Sequence, residues 1–325
     1  MATRQLPRYQ RADPPPAMRF QPRDAQILQT MQAFDGLLAR RHLQALFWPG
    51  ATRRAMQKRL SLLFHNGYLD WPSWQQWRTH PIPEPICWLG WRGALWLAGQ
   101  RGLVVRSPSN ASQHQLRRLE RSLHRQGQRW LRQPRWSLLA HDLAVIDFRI
   151  QVLEALAISD HLTLEEWVPE SAFQAEMDII PYQAKSKHGQ LVAAQRGVRP
   201  DGYFVIRDGL RQAQGQPARA RFLLELDNAT HDTPSFGREK VAPGIAYLKH
   251  AAYRERFGTT AGRWLVVVSG GQRRMRNLMW QARQVGGLEA NLFLFTTLAR
   301  VEAGDVLADA LWHQAGRQAP LALLD

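Results

Sequence analysis

Hydrophobic residues recur every three or four positions through much of the first hundred residues, which is the spacing of one face of a helix. Met56, Leu60 and Leu63 have this spacing behind Thr52, a residue suited to an N-cap, and Asn66-Gly67 ends the pattern. Helices are therefore predicted within residues 22–33, 36–47 and 51–66. The segments YLD and ICWLGWRGALWLAGQ that follow predict a hairpin and a short helix.

From residue 141 the pattern changes to an alternation of helices and strands. Leu143, Ile146, Ile150, Leu153 and Leu156 form an apolar stripe that predicts a helix. Three predicted strands follow, at residues 163–169, 202–208 and 221–227, and the polar stretch between the last two predicts a hairpin loop. The remaining elements are a helix, a strand, a helix and a strand, at residues 237–257, 263–269, 273–284 and 291–298.

Length and composition indicate a folded protein of two domains, with 325 residues of which 45% are hydrophobic. No run of eighteen apolar residues occurs, and the first twenty residues are polar, basic and proline-rich, so we expect a soluble, cytoplasmic protein without a membrane partner. The single cysteine, Cys87, excludes an internal disulfide and a cysteine-based zinc cluster.

The positive charge lies in the first half of the chain. Residues 1–140 contain 22 Lys and Arg against 6 Asp and Glu, whereas residues 141–325 contain 21 of each class. Clustered Arg and Lys bind phosphates through counterion release, so the first half is expected to bind nucleic acid. Arginine-rich composition alone is the alternative, but the second half shares that bias and is neutral.

The sequence TRRAMQKRLSLLFHNGYLD followed by CWLGWRGALWL resembles the recognition helix and wing of bacterial winged-helix proteins. The resemblance implies a winged helix-turn-helix whose third helix enters the major groove of double-stranded DNA. The predicted DNA-binding residues lie on the polar side of that helix and at the start of the second: Arg40, Arg41, Thr52, Arg53, Arg54, Gln57 and Lys58. The alternative is that these charges belong to an ordinary surface helix.

Two further features of the first half have open interpretations. Trp71, Trp74 and Trp77 have a spacing that fits base stacking or, equally, a short helix that packs on the domain or in a dimer. Residues 107–136 predict a basic helix that either follows phosphates or connects two domains.

Acidic residues mark the predicted strands of the second half. The order of elements, with Pro200-Asp201 before one strand and Glu225 near the end of the next, resembles the PD-(D/E)xK nuclease superfamily, whose core is a mixed sheet flanked by helices. Strand alternation places Leu223, Glu225 and Asp227 on one face. The three acids are together predicted to hold Mg²⁺ or Mn²⁺, which would activate water; they are Asp201, Glu225 and Asp227. Glu154 matches an additional acid that many members contribute.

The lysine of that superfamily is missing, because Asp227 occupies its position. Lys240 is the expected replacement, since some relatives supply the lysine from the following helix. It would hold the attacking water or stabilise charge on the phosphate. The alternative is structural: Asp201 begins a turn, Glu225 and Asp227 end a strand, and Lys240 forms a surface ion pair.

Motifs from both halves resemble the replication-relaxation family of bacterial plasmids and mobile elements. They are His141-Asp142-Leu143, Pro200-Asp201, Glu225, Asp227, Thr230, Lys240 and Tyr247, although Asn228-Ala229 replaces the usual basic residue and glycine. The resemblance implies a role in replication and relaxation of plasmid DNA. The predicted organisation is a basic flexible tail at 1–20, a winged helix at 21–105, a basic helical linker at 106–140 and a nuclease-like domain at 141–325.

Two functions are therefore expected as alternatives. In the first, the winged helix selects a DNA site and the second domain nicks or cuts it with Asp201, Glu225, Asp227 and Lys240. In the second, the protein is a non-catalytic replication accessory or regulator, whose second domain recruits other replication or mobile-element proteins or forms a homodimer. A position of Lys240 far from the acids would favour the second function.

Overall fold

The structure is a computed structural model that describes residues 6–108, 112–185, 190–228 and 232–324. The chain divides into two compact units, Met1–Ile146 (unit 1) and Asp147–Asp325 (unit 2). The division falls inside helix α7 (Leu139–Ala157), so the predicted linker at 106–140 belongs to unit 1.

The described residues of unit 1 form six helices and three short strands before a 3-10 turn at Trp136–Leu138 and α7. They are α1 (Pro22–Ala33), β1 (Leu37–Ala39), α2 (Arg40–Phe47), α3 (Arg53–His65), β2 (Leu69–Asp70), α4 (Trp74–Thr79), β3 (Ile86–Leu89), α5 (Trp91–Gln100) and α6 (Gln113–Arg125). The strands form an antiparallel sheet in the order β1-β3-β2.

The apolar spacing of the first hundred residues produces the core of unit 1. Met56, Leu60 and Leu63 of α3 are buried, as predicted, and α3 begins after Thr52, whose side chain makes no capping hydrogen bond. Strand β1 was not predicted, because residues 36–47 were assigned to one helix. Its three residues are all buried and pair with Ile86–Trp88, a contact that local spacing cannot indicate.

The turn between β3 and α5 requires a residue without a side chain. A Cβ at Gly90 would lie 2.3 Å from the carbonyl oxygen of Gly67, which is backbone and cannot rotate away. This close approach lets α5 begin directly after β3 and fold back against the end of β2.

The N-terminal segment packs against the rest of unit 1, although residues 1–20 were predicted to be a flexible tail. The Arg11 guanidinium donates to the carbonyl oxygens of Phe64 at 2.9 Å and Leu69 at 3.1 Å, and to the Asp70 carboxylate at 2.7 Å. The Trp71 indole stacks on Phe64 with ring centroids 3.8 Å apart and donates to the Arg8 carbonyl. Trp71 therefore packs within the unit.

Unit 2 contains the large sheet. After α7 its elements are β4 (Leu162–Pro169), α8 (Glu170–Ala175), β5 (Asp178–Lys185), β6 (Leu191–Val198), β7 (Gly202–Asp208), α9 (Gly209–Ala213), β8 (Arg219–Asp227), α10 (Thr233–Phe236), a π-helical turn (Gly237–Val241), α11 (Ala242–Lys249), α12 (Ala251–Phe257), β9 (Arg263–Val268), α13 (Gly271–Gly286), a 3-10 turn (Gly287–Leu292), β10 (Phe293–Thr297), α14 (Leu298–Ala303) and β11 (His313–Gln314).

The sheet of unit 2 is mixed, and helices flank it, as the predicted order of elements implied. Its strand order is β11-β10-β9-β8-β7-β4, with β8, β9 and β10 parallel and the other pairs antiparallel. On one face, Tyr203, Leu223 and Val266 pack in a core with Tyr247 of α11 and Leu278 of α13. The helices α10, α11 and α13 therefore cover the face on which the candidate site lies.

Two parts of unit 2 differ from the sequence-based expectation. The antiparallel pair β5 and β6 forms a separate two-stranded sheet that was not predicted. The helix predicted over 237–257 is divided, because His250 has an extended backbone and its ring nitrogen accepts from the Ala252 amide at 3.2 Å to start α12. No helix among the described residues has the length and apolarity needed to cross a membrane.

Candidate active site

Pairing of β7 with β8 brings two of the predicted acids together. Gly202 is the register partner of Leu224, so Asp201 lies directly across the ladder from Glu225. The Asp201 amide donates to the Leu224 carbonyl at 2.8 Å, and the Leu226 amide donates to Oδ2 of Asp201 at 2.7 Å. These two bonds fix the Asp201 backbone and side chain at the edge of the ladder.

The third acid, Asp227, lies two residues further along β8 on the same face. In register, Glu225 is beside Val266 and Asp227 beside Val268, both of which belong to the core under α10, α11 and α13. Asp201, Glu225 and Asp227 are only 7%, 8% and 7% exposed. Buried carboxylates require charged or hydrogen-bonding partners, and the structure supplies a different cation for Glu225 and for Asp227.

Lys240 is the cation beside Glu225. It lies in the π-helical turn Gly237–Val241, and its Nζ is 2.7 Å from Oε2 of Glu225. Burial lowers the pKa of Lys240, but the Glu225 and Asp201 carboxylates outweigh burial and raise the pKa above its ordinary value. The ammonium group is therefore charged at neutral pH, and it interacts with both acids.

Arg274, in the first turn of α13, is the cation that pairs with Asp227. Its Nη2 donates to Oδ1 of Asp227 at 2.7 Å, and its Nε donates to Oδ2. The hydrogen bonds to Asp227 raise the pKa of Arg274 above its ordinary value. The amide and hydroxyl of Ser269 both donate to the Asp227 carbonyl at 3.0 Å. Arg274 was not among the predicted residues, and only the parallel pairing of β8 with β9 brings it here.

Arg196 of β6 is a further cation near the site that sequence reasoning missed. Its guanidinium donates to Glu239 at 2.7 Å, and its charge acts to lower the pKa of the neighbouring Lys240. The unpredicted sheet of β5 and β6 therefore contributes to the electrostatics of the site. No local pattern around Arg196 indicates this role.

The remaining predicted motif residues lie elsewhere. Glu154 is exposed on α7, where it accepts from Gln151 at 3.0 Å, and it has no described contact with Asp201, Glu225 or Asp227. The Tyr247 hydroxyl donates to Asp178 at 2.7 Å, and burial raises its pKa. Thr230 lies outside the described residues.

The predicted DNA-binding residues fall into two groups. Arg53, Arg54, Gln57 and Lys58 are exposed on α3, opposite its buried side, and Thr52 is exposed at its N-cap. Arg40 and Arg41 are engaged within unit 1. The Arg40 guanidinium lies 5.0 Å from the Trp71 ring centroid, and Arg41 Nε donates to Glu84 at 2.8 Å.

Asp201 and Glu225 fit a divalent cation by the chemistry of their donors. Mg²⁺ prefers carboxylate oxygens and is usually bound by one or two of them, with water and substrate phosphate completing its shell. Among the described residues, no group of three or more His, Cys, Asp or Glu side chains is arranged to hold a metal ion. A pair of carboxylates, supplemented by phosphate, is thus the arrangement that the described site offers.

The sequence model of the replication-relaxation family matches residues 33–260, which is more than half of the chain. The protein belongs to the replication-relaxation family. The matched range includes Asp201, Glu225, Asp227 and Lys240 but ends before Arg274. Membership of this family suggests a role in replication or relaxation of plasmids or mobile elements, with DNA or replication-related partners. No curated protein and no solved structure matches the chain.

Proposed function

We propose that this replication-relaxation protein binds double-stranded DNA and nicks or cuts it in a reaction that depends on Mg²⁺ or Mn²⁺. The observation that carries the proposal is the position of Lys240, whose Nζ lies 2.7 Å from Glu225, which itself faces Asp201 across the β7–β8 ladder. Two acids and one lysine from separate elements meet on one sheet face. A surface ion pair alone would not account for the burial of the two acids.

DNA binding is assigned to unit 1, which we propose is a winged helix-turn-helix. Three helices precede the β2–β3 hairpin, and the exposed side of α3 presents Arg53, Arg54 and Lys58. Among the described residues, none of these three cations has a carboxylate partner. A helix of this kind places side chains against base edges and phosphates of the major groove.

The chemistry follows from the geometry of Asp201, Glu225 and Lys240. Asp201 and Glu225 would hold the metal ion, which supplies an activated water and stabilises charge on the phosphate. Lys240 remains protonated, so it acts as a fixed cation that orients the water or stabilises the oxygens of the phosphate. Asp227, predicted as a third metal ligand, lies on the same face of the sheet, where it pairs with Arg274 and would be a neutralised neighbour of the other two acids.

The test separates cutting from binding. Asp201→Ala and Glu225→Ala are compared with wild type for cleavage of duplex DNA in Mg²⁺ or Mn²⁺ and for affinity to the same DNA in EDTA. Both variants are expected to lose cleavage and to retain nearly unchanged affinity. Glu154→Ala is the matched control, because it removes an exposed carboxylate without a contact to the site, and it is expected to retain cleavage. Retained cleavage by both site variants would rule the site out.

A second function has specific support from the Asp227–Arg274 pair. Because a two-bond ion pair fills the position where the nuclease superfamily has lysine, unit 2 could serve a non-catalytic role, in partner recruitment or homodimer formation. The protein would then act as a DNA-binding replication accessory or regulator. This function predicts DNA binding that is equal in wild type and Asp201→Ala, with no metal-dependent cleavage by either protein.

A further inference from the structure

The largest concentration of positive charge in unit 1 lies outside α3. Helix α6 and the segment at 129–133 form the walls of a groove with a volume of about 1050 Å³, which we call the α6 groove. Its basic lining consists of Arg117, Arg118, Arg121, His124, Arg125, Arg129 and Arg132. One carboxylate, Glu120, also lines it and pairs with Arg132 at 3.0 Å.

Both walls of the groove are fixed to the rest of the unit. Leu119 and Leu123 are buried and hold the inner side of α6. On the other wall, the buried Trp130 indole donates to the Leu89 carbonyl at 2.9 Å, and the neighbouring Gln128 side chain donates to the Ala94 carbonyl at 2.9 Å. Both walls of the groove are therefore held in place by packing and hydrogen bonds within unit 1.

Four arginines of the groove are exposed and have no acidic partner. Arg129 is near Asp35 and Arg132 is near Glu120, but Arg117, Arg118, Arg121 and Arg125 make no ion pair with any described residue. Uncompensated like charges within three helical turns repel one another, and a polyanion relieves that repulsion. Apart from Glu120, the described lining of the groove contains no carboxylate that could neutralise these arginines.

The spacing of the groove arginines fits the phosphate backbone of DNA. Arg117, Arg121 and Arg125 follow one another at intervals of four residues, so their positions span about 12 Å along the helix axis. A strand of duplex DNA presents one phosphate per roughly 3.4 Å of its axis, so this length spans about four phosphates, enough for each of the three arginines to contact one. Arginine in particular binds phosphate oxygens through two parallel hydrogen bonds.

We propose that the α6 groove is a second DNA-binding surface, which holds the phosphate backbone independently of base sequence. The inference rests on the proposed DNA-binding function and adds a contact that α3 does not provide. The exposed arginines of the groove suit phosphate oxygens, which are the same at every base pair, so the groove is assigned to the DNA backbone and not to the bases. Its contribution is therefore affinity and salt dependence, while α3 determines which sequence is bound.

The experiment measures the salt dependence of DNA binding by the full-length protein. A triple variant, Arg117→Ala, Arg121→Ala and Arg125→Ala, is compared with wild type on a random-sequence 30-base-pair duplex, with EDTA present to prevent cleavage. The slope of log K against log salt is expected to become shallower by about 3, or 0.9 per phosphate contact, and affinity to fall at least about tenfold at 0.1 M salt. Unchanged helical content by circular dichroism shows that the variant is folded.

A matched triple variant controls for net charge. Arg211→Ala, Arg254→Ala and Arg317→Ala remove three exposed arginines of unit 2 that have no ion-pair partner among the described residues. This variant is expected to keep the wild-type slope. An equal reduction of the slope in both triple variants, or no reduction in the α6 variant, would overturn the inference.

The outcomes separate this inference from the proposed function. A shallower salt slope in the α6 variant supports DNA binding by the groove even if no cleavage is detected. An unchanged salt slope in that variant, with cleavage by wild type intact, overturns the groove alone. Vesicles with 30% phosphatidylserine provide the competing ligand. Arginine-dependent binding to the vesicles with no binding to DNA would overturn both the groove's assignment to DNA and the DNA-binding function.

Discussion

Among single residues, Lys240 is the one on which the proposed nuclease chemistry depends most. Lys240→Met removes the cation that touches Glu225 and keeps a side chain of similar length. We expect cleavage to fall about 100-fold, because fixed positive charge near a reacting phosphate contributes that magnitude, while DNA affinity in EDTA stays within about twofold. Lys240→Arg should retain part of the activity. Equal cleavage by wild type and Lys240→Met, measured as initial rates on duplex DNA, would contradict this role.

The Asp227–Arg274 pair leads to a second prediction at this scale. Removing one member of a buried ion pair leaves an uncompensated charge, so Arg274→Met is expected to destabilise the protein by about 3 kcal/mol. Adding Asp227→Asn to that variant should recover most of the loss, because no buried charge then remains. Thermal unfolding of wild type, Arg274→Met, Asp227→Asn and the double variant checks this coupling. Losses that simply add would show that the two side chains do not depend on each other.

The sequence predicted Lys240, the partner of Glu225, but not Arg274, the partner of Asp227, and the difference has a physical reason. Asp201, Glu225 and Lys240 were recognisable because each carries part of a short motif in a fixed order along the chain. Arg274 is 47 residues from Asp227 and belongs to an ordinary basic helix in the sequence. Its role depends on β9 lying beside β8, which no local pattern determines. Glu154 is the opposite case, because it matches a position of the superfamily in the sequence but has no described contact with Asp201, Glu225 or Asp227.

At the scale of secondary-structure elements, periodicity predicted the long helices and buried strands but not the short or interrupted ones. Helices α1, α3 and α7 and strands β7 and β8 occur where apolar spacing placed them. Strand β1 has three residues, which is less than two full periods of strand alternation, and its existence depends on β3 some fifty residues later. Among the described side chains of β5 and β6 only Ile180 and Val198 are buried, so the pair lacks the apolar alternation that marks a strand.

The junction of β3 and α5 provides a prediction at this scale. Gly90→Ala places a Cβ 2.3 Å from the Gly67 carbonyl oxygen, so the backbone must move, and we expect a loss of about 1–3 kcal/mol. Gly99→Ala, near the end of α5, is the control, because nothing lies within 4 Å of its added Cβ. That control should be neutral or stabilising by up to about 1 kcal/mol. Melting temperatures of both variants check the contrast, and a similar loss in both would contradict it.

The contact between the N-terminal segment and β2 predicts a pH dependence. Burial raises the pKa of Asp70 from 3.8 to about 6, although the Arg11 guanidinium acts to lower it. A carboxyl whose folded-state pKa is raised contributes most to stability below its unfolded pKa, and that contribution is lost as pH rises through the folded value. Relative to Asp70→Asn, wild type should therefore lose stability between pH 4 and about 6. Melting temperatures of both proteins across this range test the sign, and a relative gain by wild type would contradict it.

Across the whole chain, we propose that unit 1 selects DNA and that unit 2 cuts it. The charge distribution supports this division, because the excess of Lys and Arg lies in residues 1–140, while the candidate site lies in residues 201–240. The two-domain organisation and the mixed sheet were predictable from composition and element order. The division within α7 and the inclusion of α6 in unit 1 were not, because a continuous helix gives no local signal of a boundary.

Conversion of supercoiled plasmid that carries the natural DNA site would show whether the protein cuts DNA. Purified wild type and Asp201→Ala are incubated with the plasmid in EDTA, Mg²⁺ or Mn²⁺, and open-circular and linear products are quantified. We predict product in Mg²⁺ or Mn²⁺ only, and only with wild type, because Asp201 and Glu225 would bind the ion beside Lys240. Bound but uncut plasmid with every metal would contradict the nuclease assignment and favour a protein that acts by holding DNA.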